Sequence, residues 1–288
     1  MRIWIDGELI PQQDAKISVY DHGLLYGDGC FEGIRIYNTR IFKCRSHIDR
    51  LYRSAELIHL EIPYTKDEID QAMRDCIEAN QLTDGYIRLV VTRGTGDLGL
   101  NPFLCKRPTV ICIADKIKLY PDSFYEEGLG VVTAKRIRVD PRALDPAVKS
   151  LNYLNNILAK IEAINEGKLE AIMLNHEGKV SECTGDNLFI VKDGSVHTPP
   201  TSAGILHGIT RAFVLELCGK LGITAVERDM DLEEVRQADE VFLTGTAAEI
   251  IAVTQVDELT VGDGKRGPVT AKLNEAFRDA VRADAPED

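Results

Sequence analysis

The sequence lacks long apolar runs and an excess of cationic residues, and these two absences exclude several classes of protein. No apolar stretch in its 288 residues approaches the length of a membrane span, and Met1-Arg-Ile-Trp-Ile-Asp-Gly turns too early for a signal peptide, so we expect no membrane partner. The formal net charge of −12 argues against nucleic acid as a partner. The hydrophobic content of 44% and the charged content of 28% are ordinary for a soluble globular enzyme.

The seven cysteines include no Cys-x-x-Cys motif and no cluster with histidine. Paired or clustered cysteines are typical of disulfide scaffolds and zinc sites. We therefore expect reduced packing residues in a cytoplasmic protein, and we expect no metal site. The cysteines are odd in number and scattered, at Cys30, Cys44, Cys76, Cys105, Cys112, Cys183 and Cys218.

One lysine, Lys149, stands at the boundary of a predicted helix. Pro146 resists helix formation just before it, and an apolar stripe with helical spacing begins just after it. A lysine held at such a boundary, beside Val148 and Leu151, can lose part of its solvation, which favours the neutral and nucleophilic amine. A solvated lysine preceding a helix is the alternative. The stripe consists of Leu154, Ile157, Leu158, Ile161 and Ile164.

Three further stretches suggest groups that could hold a charged cofactor. Val180-Ser-Glu-Cys-Thr-Gly-Asp-Asn-Leu-Phe-Ile-Val places Glu182 between an apolar strand and a turn that contains glycine. Gly208-Ile-Thr-Arg opens a predicted helix, whose free N–H groups and dipole favour an anion, although an ordinary N-cap is the alternative. Gly245-Thr-Ala, at the end of a buried-looking strand, offers a second anion site of the same kind.

These groups fit a single chemistry. A pyridoxal phosphate (PLP) site needs an amine that bonds to the cofactor, a carboxylate that keeps the pyridine nitrogen protonated, and a place for the phosphate. Arg50, on a predicted helix, could donate a charge-assisted hydrogen bond to a phosphate, although a surface arginine is the commoner outcome.

A competing motif is Gly94-Thr-Gly-Asp-Leu-Gly, which matches G-x-G-x-x-G and follows a predicted strand. A dinucleotide fingerprint must open a helix whose N-terminus receives the pyrophosphate. Here Leu100-Asn-Pro-Phe follows, and Pro102 without an apolar stripe predicts a loop. A nicotinamide-dependent oxidoreductase is therefore a disfavoured alternative.

The order of five segments resembles the branched-chain amino acid aminotransferases of the class-IV PLP enzymes, particularly the archaeal-type members. The segments are Phe31-Glu-Gly-Ile-Arg, Lys149-Ser-Leu-Asn-Tyr-Leu-Asn, Ser181-Glu-Cys-Thr-Gly-Asp-Asn-Leu-Phe, Gly208-Ile-Thr-Arg and Gly245-Thr-Ala-Ala-Glu.

The resemblance implies a two-domain fold of the D-amino acid aminotransferase type. Clustered strands with helices set between them agree with an α+β class. We predict a small N-terminal α/β domain over 1–116, a linker over 117–128, and a large C-terminal domain over 129–288 that carries the PLP lysine.

The resemblance also assigns cofactor-binding residues. It implies that Lys149 bonds to PLP and acts as the acid and base of the proton shift. It implies that Glu182 holds the pyridine nitrogen and that Tyr153 meets the phenolic oxygen. The residues implied at the phosphate are Arg50, Ile209, Thr210, Gly245 and Thr246.

For the substrate, the resemblance implies an aliphatic pocket with apolar and aromatic walls, and a carboxylate held by the Thr246–Ala247 backbone. In this family Tyr26 and the Gly96–Leu100 loop reach the other subunit's site, which implies a homo-oligomer of at least two chains. The substrate residues are Tyr26, Phe31, Gly33, Tyr86, Arg88, Tyr120, Thr246 and Ala247.

The implied reaction is transamination between branched-chain L-amino acids (leucine, isoleucine and valine) and 2-oxoglutarate. A D-amino acid aminotransferase is the nearest alternative, and aminodeoxychorismate lyase is a more distant one. The later motifs do not separate these enzymes, because they serve the shared cofactor. Phe31-Glu-Gly-Ile-Arg and Tyr86-Ile-Arg favour the branched-chain type.

Overall fold

The computed structural model describes residues 1–117 and 121–283. These residues form two compact units. The first contains Met1–Ile117 and Val148–Asn152, and the second contains 121–147 and Tyr153–Ala283. Helices and strands are mixed in both units, so the predicted α+β class is confirmed. Within the described ranges, no helix is both long enough and apolar enough to cross a membrane.

The first unit is built on an antiparallel sheet of six strands in the order β2-β1-β6-β5-β3-β4. Its elements are β1 (Arg2–Ile5), β2 (Glu8–Pro11), α1 (His22–Tyr26), β3 (Gly29–Tyr37), β4 (Arg40–Ile41), α2 (Cys44–Leu57), α3 (Lys66–Ala79), β5 (Gly85–Thr92) and β6 (Thr109–Asp115).

Alternating burial along β5 shows how this sheet is covered. Ile87, Leu89 and Val91 are fully buried, whereas Tyr86 and Arg88, on the other face, are half-buried. The buried face packs against α2 and α3 in a single apolar core. The start of α3 is fixed by a capping box, in which Thr65 and Glu68 satisfy each other's backbone N–H groups.

The second unit contains the remaining α-helices and strands of the described chain. They are α4 (Asp122–Glu127), β7 (Leu129–Thr133), α5 (Leu154–Asn165), β8 (Glu170–Leu174), β9 (Val180–Cys183), β10 (Asn187–Lys192), β11 (Ser195–Thr198), α6 (Ile209–Leu221), β12 (Ala225–Glu227), α7 (Leu232–Arg236), β13 (Glu240–Gly245), β14 (Glu249–Val256), β15 (Leu259–Thr260) and α8 (Pro268–Arg282).

Parallel and antiparallel pairings are mixed in the sheet of the second unit. The strand order is β12-β11-β10-β13-β14-β7-β8-β9, and β15 pairs with β14. The pairs β11–β12, β14–β7 and β7–β8 are parallel, and the other pairs are antiparallel. At its centre, the rings of Phe189 and Phe242 stack with their centroids 4.8 Å apart.

The segment Val148–Asn152 belongs to the first unit because its backbone bonds to β3. The Phe31 N–H donates to the Lys149 carbonyl at 2.9 Å, and the Leu151 N–H donates to the Gly29 carbonyl at 2.9 Å. The sequence-based division placed Lys149 in the second domain, and the structure differs at this short segment. The division over 1–116, 117–128 and 129–288 otherwise stays a prediction, and part of the proposed linker, with Tyr120, lies outside the described residues.

Helix α5 buries its small apolar side chains and exposes most of its large ones, although Leu158 is half-buried. Ala159 and Ala163 are buried in a cluster with residues of the neighbouring strands, whereas an apolar stripe ordinarily faces the core. The alanines allow the helix backbone to lie close to β7 and β8. The exposed side chains are Leu154, Ile157, Ile161 and Ile164.

We predict that Ala163→Leu lowers the free energy of unfolding by about 1–3 kcal/mol, because it adds volume to a filled core. Asn165→Leu, which adds the same side chain at an exposed position of α5, should change it by no more than about 0.5 kcal/mol. Urea unfolding of both variants is the measurement. Equal effects would contradict the burial of this face.

Candidate functional site

The Lys149 side chain lies over an aromatic ring. Its Nζ is 4.5 Å from the centroid of the Phe31 ring. Its backbone is held from two sides, since its N–H donates to the Ser54 hydroxyl at 3.1 Å and its carbonyl accepts from the Phe31 N–H. These bonds place the amine on the face of the sheet opposite α2.

Neighbouring side chains of β3 and β5 share this face, as their register shows. Phe31 pairs with Val90, and Gly33 pairs with Arg88. The Arg88 guanidinium lies 4.6 Å from the centroid of the Phe31 ring and 5.6 Å from that of Tyr86. The face therefore combines two aromatic walls with a cation.

Gly33 is required by the position of Tyr86. A Cβ atom at residue 33 would lie 1.7 Å from the Tyr86 hydroxyl oxygen. Any side chain there would displace the tyrosine ring from β3. The glycine thus determines where the hydroxyl group of this aromatic wall can lie.

The opposite face of β3 carries a fully buried carboxylate, that of Glu32. Arg50 of α2 binds it with two hydrogen bonds, from Nε at 2.7 Å and from Nη2 at 2.8 Å. His47 Nδ1 lies 2.7 Å from the same carboxylate. Buried charges are tolerated when they are paired and hydrogen-bonded, and this arrangement meets both conditions.

The pKa values of both buried titratable groups in this cluster are lowered. The shift favours the charged form of Glu32 and the neutral form of His47. Burial raises the pKa of Glu32, but the Arg50 charge and His47 together lower it well below its ordinary value. Burial lowers the pKa of His47, and this outweighs the attraction of Glu32. The neutral ring leaves His47 Nε2 buried and without a hydrogen-bond partner among the described residues.

Glu182, at the end of β9, is held as a buried anion. The Arg138 guanidinium donates to its Oε1 from Nε at 2.9 Å and forms an ion pair from Nη2 at 2.8 Å. The Asn187 amide and the Leu206 N–H each donate to Oε2 at 3.0 Å. Four donors favour the ionised form and fix its orientation.

Asn187 links this carboxylate to the N-terminus of α6. A Cβ atom at Gly208, the N-cap residue, would lie 1.9 Å from the Asn187 side-chain oxygen. Among the described residues, no side chain caps this helix. Ile209 and Thr210 occupy the first turn, so their N–H groups are available to an anion.

The end of β13 approaches the same region of the second unit. Thr244 pairs with Asn187 across the sheet, and a Cβ atom at Gly245 would lie 1.9 Å from the Asp186 carboxylate. The buried Thr244 hydroxyl has no hydrogen-bond partner within the described part of the chain. Thr246 and Ala247 follow and are half-buried.

Comparison with known proteins identifies the family. The family model described as amino-transferase class IV matches residues 29–256. The chain belongs to the class IV aminotransferases. The resemblance inferred from the five sequence segments and the predicted fold type are thereby confirmed.

Individual members of class IV give closer comparisons. A branched-chain-amino-acid aminotransferase of Pseudomonas aeruginosa is 40% identical and aligns over 97% of this chain and 92% of its own. A D-alanine aminotransferase of Listeria monocytogenes is 37% identical, over 98% and 96%. The crystal structure of the branched-chain amino acid aminotransferase from Thermobaculum terrenum in its PLP form superposes with a TM-score of 0.89 at 32% identity, covering 98% of this chain and 94% of that one.

The structure shows where the predicted site residues of this class IV aminotransferase lie. In the first unit, Lys149 lies on the β3–β5 face with Phe31, Gly33, Tyr86 and Arg88, which the sequence predicts to bind substrate. Arg50 lies on the other face of β3, bound to Glu32. Tyr26 lies apart in α1, where its hydroxyl donates to the Leu98 carbonyl. Tyr153 is the N-cap residue of α5.

Sequence reasoning did not identify Arg138, Asn187 or Glu32. Arg138 is 44 positions from the carboxylate that it binds, and no local pattern signals such a pairing. Glu32 had a detectable signal, because it interrupts the apolar positions Cys30, Ile34 and Ile36 on the buried face of a strand.

We predict that the free energy of unfolding of the unmodified protein falls more steeply on acidification than that of the His47→Gln variant. The lowered pKa of His47 means that the unfolded chain binds a proton that the folded chain excludes. Stability is therefore lost as the pH falls below the ordinary value of 6.5, by at most about 1.4 kcal/mol per pH unit. Glu32, whose pKa is also lowered, adds a loss of the same sign below 4.5.

Urea unfolding at pH 7, 6 and 5 measures this difference, with the exposed-histidine variant His59→Asn as the control. His59→Asn should retain the steeper dependence of the unmodified protein. Parallel profiles for the protein and His47→Gln would show that His47 is protonated equally in the folded and unfolded chains.

Proposed function

We propose that this class IV aminotransferase binds PLP and moves amino groups between branched-chain L-amino acids and 2-oxoglutarate. The β3–β5 face is the observation that supports this substrate choice best. Phe31 and Tyr86 offer apolar surface for a branched side chain, and Arg88 offers a cation for a second carboxylate. One surface would thus serve both leucine and glutamate.

The buried polar groups of the second unit fit PLP. Glu182 is an ionised carboxylate, which matches a protonated pyridine nitrogen. The uncapped N-terminus of α6 suits a phosphate. The Thr244 hydroxyl, which lacks a partner among the described residues, is consistent with a bound group. The glycines at 208 and 245 are required by the close approach of the Asn187 and Asp186 side chains.

Each proposed residue has a distinct task. Lys149 would bond to PLP in the resting enzyme and, after the substrate amine displaces it, would accept the proton from the substrate Cα with its freed amine, while Glu182 would hold the proton on the pyridine nitrogen. When bound, PLP supplies a ring that withdraws the electron pair of the broken bond. Tyr153 would donate to the phenolic oxygen, and the Thr246–Ala247 backbone would hold the substrate carboxylate. The phosphate would be held by Arg50, Ile209, Thr210, Gly245 and Thr246.

A D-amino acid aminotransferase is the second candidate, because a D-alanine aminotransferase of similar identity matches almost the whole chain. The two activities share the cofactor, so Lys149 and Glu182 do not separate them. The two activities differ in the enantiomer of the amino-group donor that they accept.

We also propose a cytoplasmic homo-oligomer in which the loop 96–100 and Tyr26 contribute to a neighbouring subunit. The exposed side chains of Tyr26, Leu98 and Leu100 support this proposal. The hydrogen bond between Tyr26 and the Leu98 carbonyl holds α1 and the loop together as one surface.

Lys149→Ala should lower turnover by at least ~10²-fold, the scale of a positioned acid–base group. The Lys160→Ala variant is the control, because Lys160 forms an ion pair with Glu170 at 3.5 Å and has no proposed role in turnover. Borohydride reduction of the holoenzyme, followed by peptide mapping, should place the phosphopyridoxyl label on Lys149. A label on Lys160 would refute the assignment.

Arg88→Ala should slow the half-reaction with L-glutamate at least ~10-fold more than that with L-leucine, since a hydrogen bond to a charged group contributes about 1.5–3 kcal/mol. Arg88→Lys, which keeps the positive charge, should preserve more of the glutamate reaction. Absorbance of the bound cofactor follows its amination. Faster amination of the unmodified enzyme by D-alanine than by L-leucine would favour the D-amino acid alternative.

A further inference from the structure

Asn156 is a polar residue on the buried face of a helix whose other buried residues are small and apolar. It lies in the first turn of α5 and shares the buried face with Ala159 and Ala163. An amide in such a place costs free energy unless both its oxygen and its nitrogen are hydrogen-bonded. The two hydrogen bonds that satisfy it therefore indicate what the side chain does.

The amide of Asn156 joins Arg138 to the turn that follows Glu182. Its Oδ1 accepts from Arg138 Nη1 at 3.0 Å, and its Nδ2 donates to the Thr184 carbonyl at 2.8 Å. Exchanging the two ends of the amide would place donor against donor and acceptor against acceptor. The partners therefore determine the orientation of the amide, with its oxygen toward the guanidinium.

The carbonyl that anchors this amide is itself held in place. Thr184 lies in the turn between β9 and β10. Its hydroxyl donates to the buried carboxylate of Glu170, and the Gly185 N–H donates to the same carboxylate at 3.2 Å. Because Glu170 belongs to β8, the turn that receives the amide of Asn156 is tied to the sheet.

The buried guanidinium of Arg138 is oriented by its side-chain contacts. The residue lies outside the helices and strands, between β7 and α5. Its Nε and Nη2 contact Oε1 of Glu182, and its Nη1 contacts Asn156. A guanidinium is planar, so a hydrogen bond on the third nitrogen fixes the plane in which the other two meet the carboxylate. Loss of that bond would allow the plane to rotate about its contact with Glu182.

We infer that Asn156 is a positioning residue that holds Arg138 in the orientation that directs the Glu182 carboxylate toward the pyridine nitrogen of PLP. This role rests on the proposed function, in which Glu182 keeps that nitrogen protonated. Asn156 acts through Arg138 and not by direct contact with the cofactor. A carboxylate whose direction is fixed before the cofactor binds stabilises the protonated nitrogen better than one that must first be reoriented.

The test measures the affinity of the full chain, freed of cofactor, for PLP and for deaza-PLP, in which a C–H group replaces the pyridine nitrogen. The ratio of the two dissociation constants gives the preference for that nitrogen, because the phosphate and the aldehyde are the same in both compounds. Asn156→Leu removes the amide and keeps a similar volume. We expect it to lower the preference for PLP about 10-fold, the scale of one hydrogen bond to a charged group. Asn156→Ala, which removes the amide and leaves space, should lower it equally.

Asn155→Ala is the matched control. Asn155 is the neighbouring residue of α5 and holds the same segment, since it accepts from the Val139 N–H and donates to the Ile137 carbonyl, each at 3.0 Å. These bonds are made to the backbone on either side of Arg138 and not to its guanidinium, so the preference for PLP should not change. Urea unfolding of each variant shows that the fold is retained.

A double-mutant cycle with Glu182→Gln tests the route of the effect. If Asn156 acts through Glu182, Asn156→Leu should not lower the preference further in a chain that already carries Glu182→Gln. A further loss in that chain would overturn the route through the carboxylate. A folded Asn156→Leu or Asn156→Ala variant with the full preference for PLP would overturn the positioning role, as would an equal loss in Asn155→Ala.

The same measurements test the proposed function separately. The unmodified chain should prefer PLP to deaza-PLP, and Glu182→Gln should abolish the preference. An unmodified chain that binds both compounds equally, or a Glu182→Gln variant that keeps the preference, would overturn the proposed contact between Glu182 and the pyridine nitrogen, and the role of Asn156 with it.

Discussion

The position of Lys149 depends on backbone pairing between two segments that are distant in sequence. β3 bonds to the residues around Lys149 at Phe31 and at Gly29. Gly29 makes this approach possible, because a Cβ atom there would lie 2.3 Å from the Val91 carbonyl oxygen and 2.7 Å from the Leu151 side chain. These backbone hydrogen bonds restrict the conformation of the chain around Lys149. They therefore fix the position from which its side chain reaches the Phe31 ring.

Buried carboxylates impose a second constraint on the fold. Each of them accepts hydrogen bonds from several donors. Glu32 is paired with Arg50 and His47, and Glu182 is paired with Arg138 and Asn187. Glu170 shows the same principle, since it accepts from the Thr184 hydroxyl and from the Gly185 N–H at 3.2 Å. It thereby supports the turn that follows Glu182. An unpaired charge in any of these places would be costly, which limits the arrangements available to the chain.

Helix α5 shows that hydrophobicity alone does not decide which face of a helix is buried. Its alanines permit close packing against β7 and β8, and Leu154 and the three isoleucines remain exposed. The local sequence thus places small side chains on the buried face and large apolar ones on the exposed face.

The sequence by itself determined the family, the fold class and the candidate lysine and carboxylate, because the motifs are local and their order is specific. It also predicted candidate anion sites that begin at Gly208 and Gly245, since glycine at these positions has a local signature. The roles of the individual residues remain proposals.

Only the tertiary structure decided which groups meet. Arg138 binds Glu182 across 44 positions, and Tyr86 lies over Gly33 because their strands pair in one register. Periodicity reveals which residues of α5 share a face, but not what lies opposite that face. Burial depends on the surface supplied by the rest of the chain, and that surface exists only after folding.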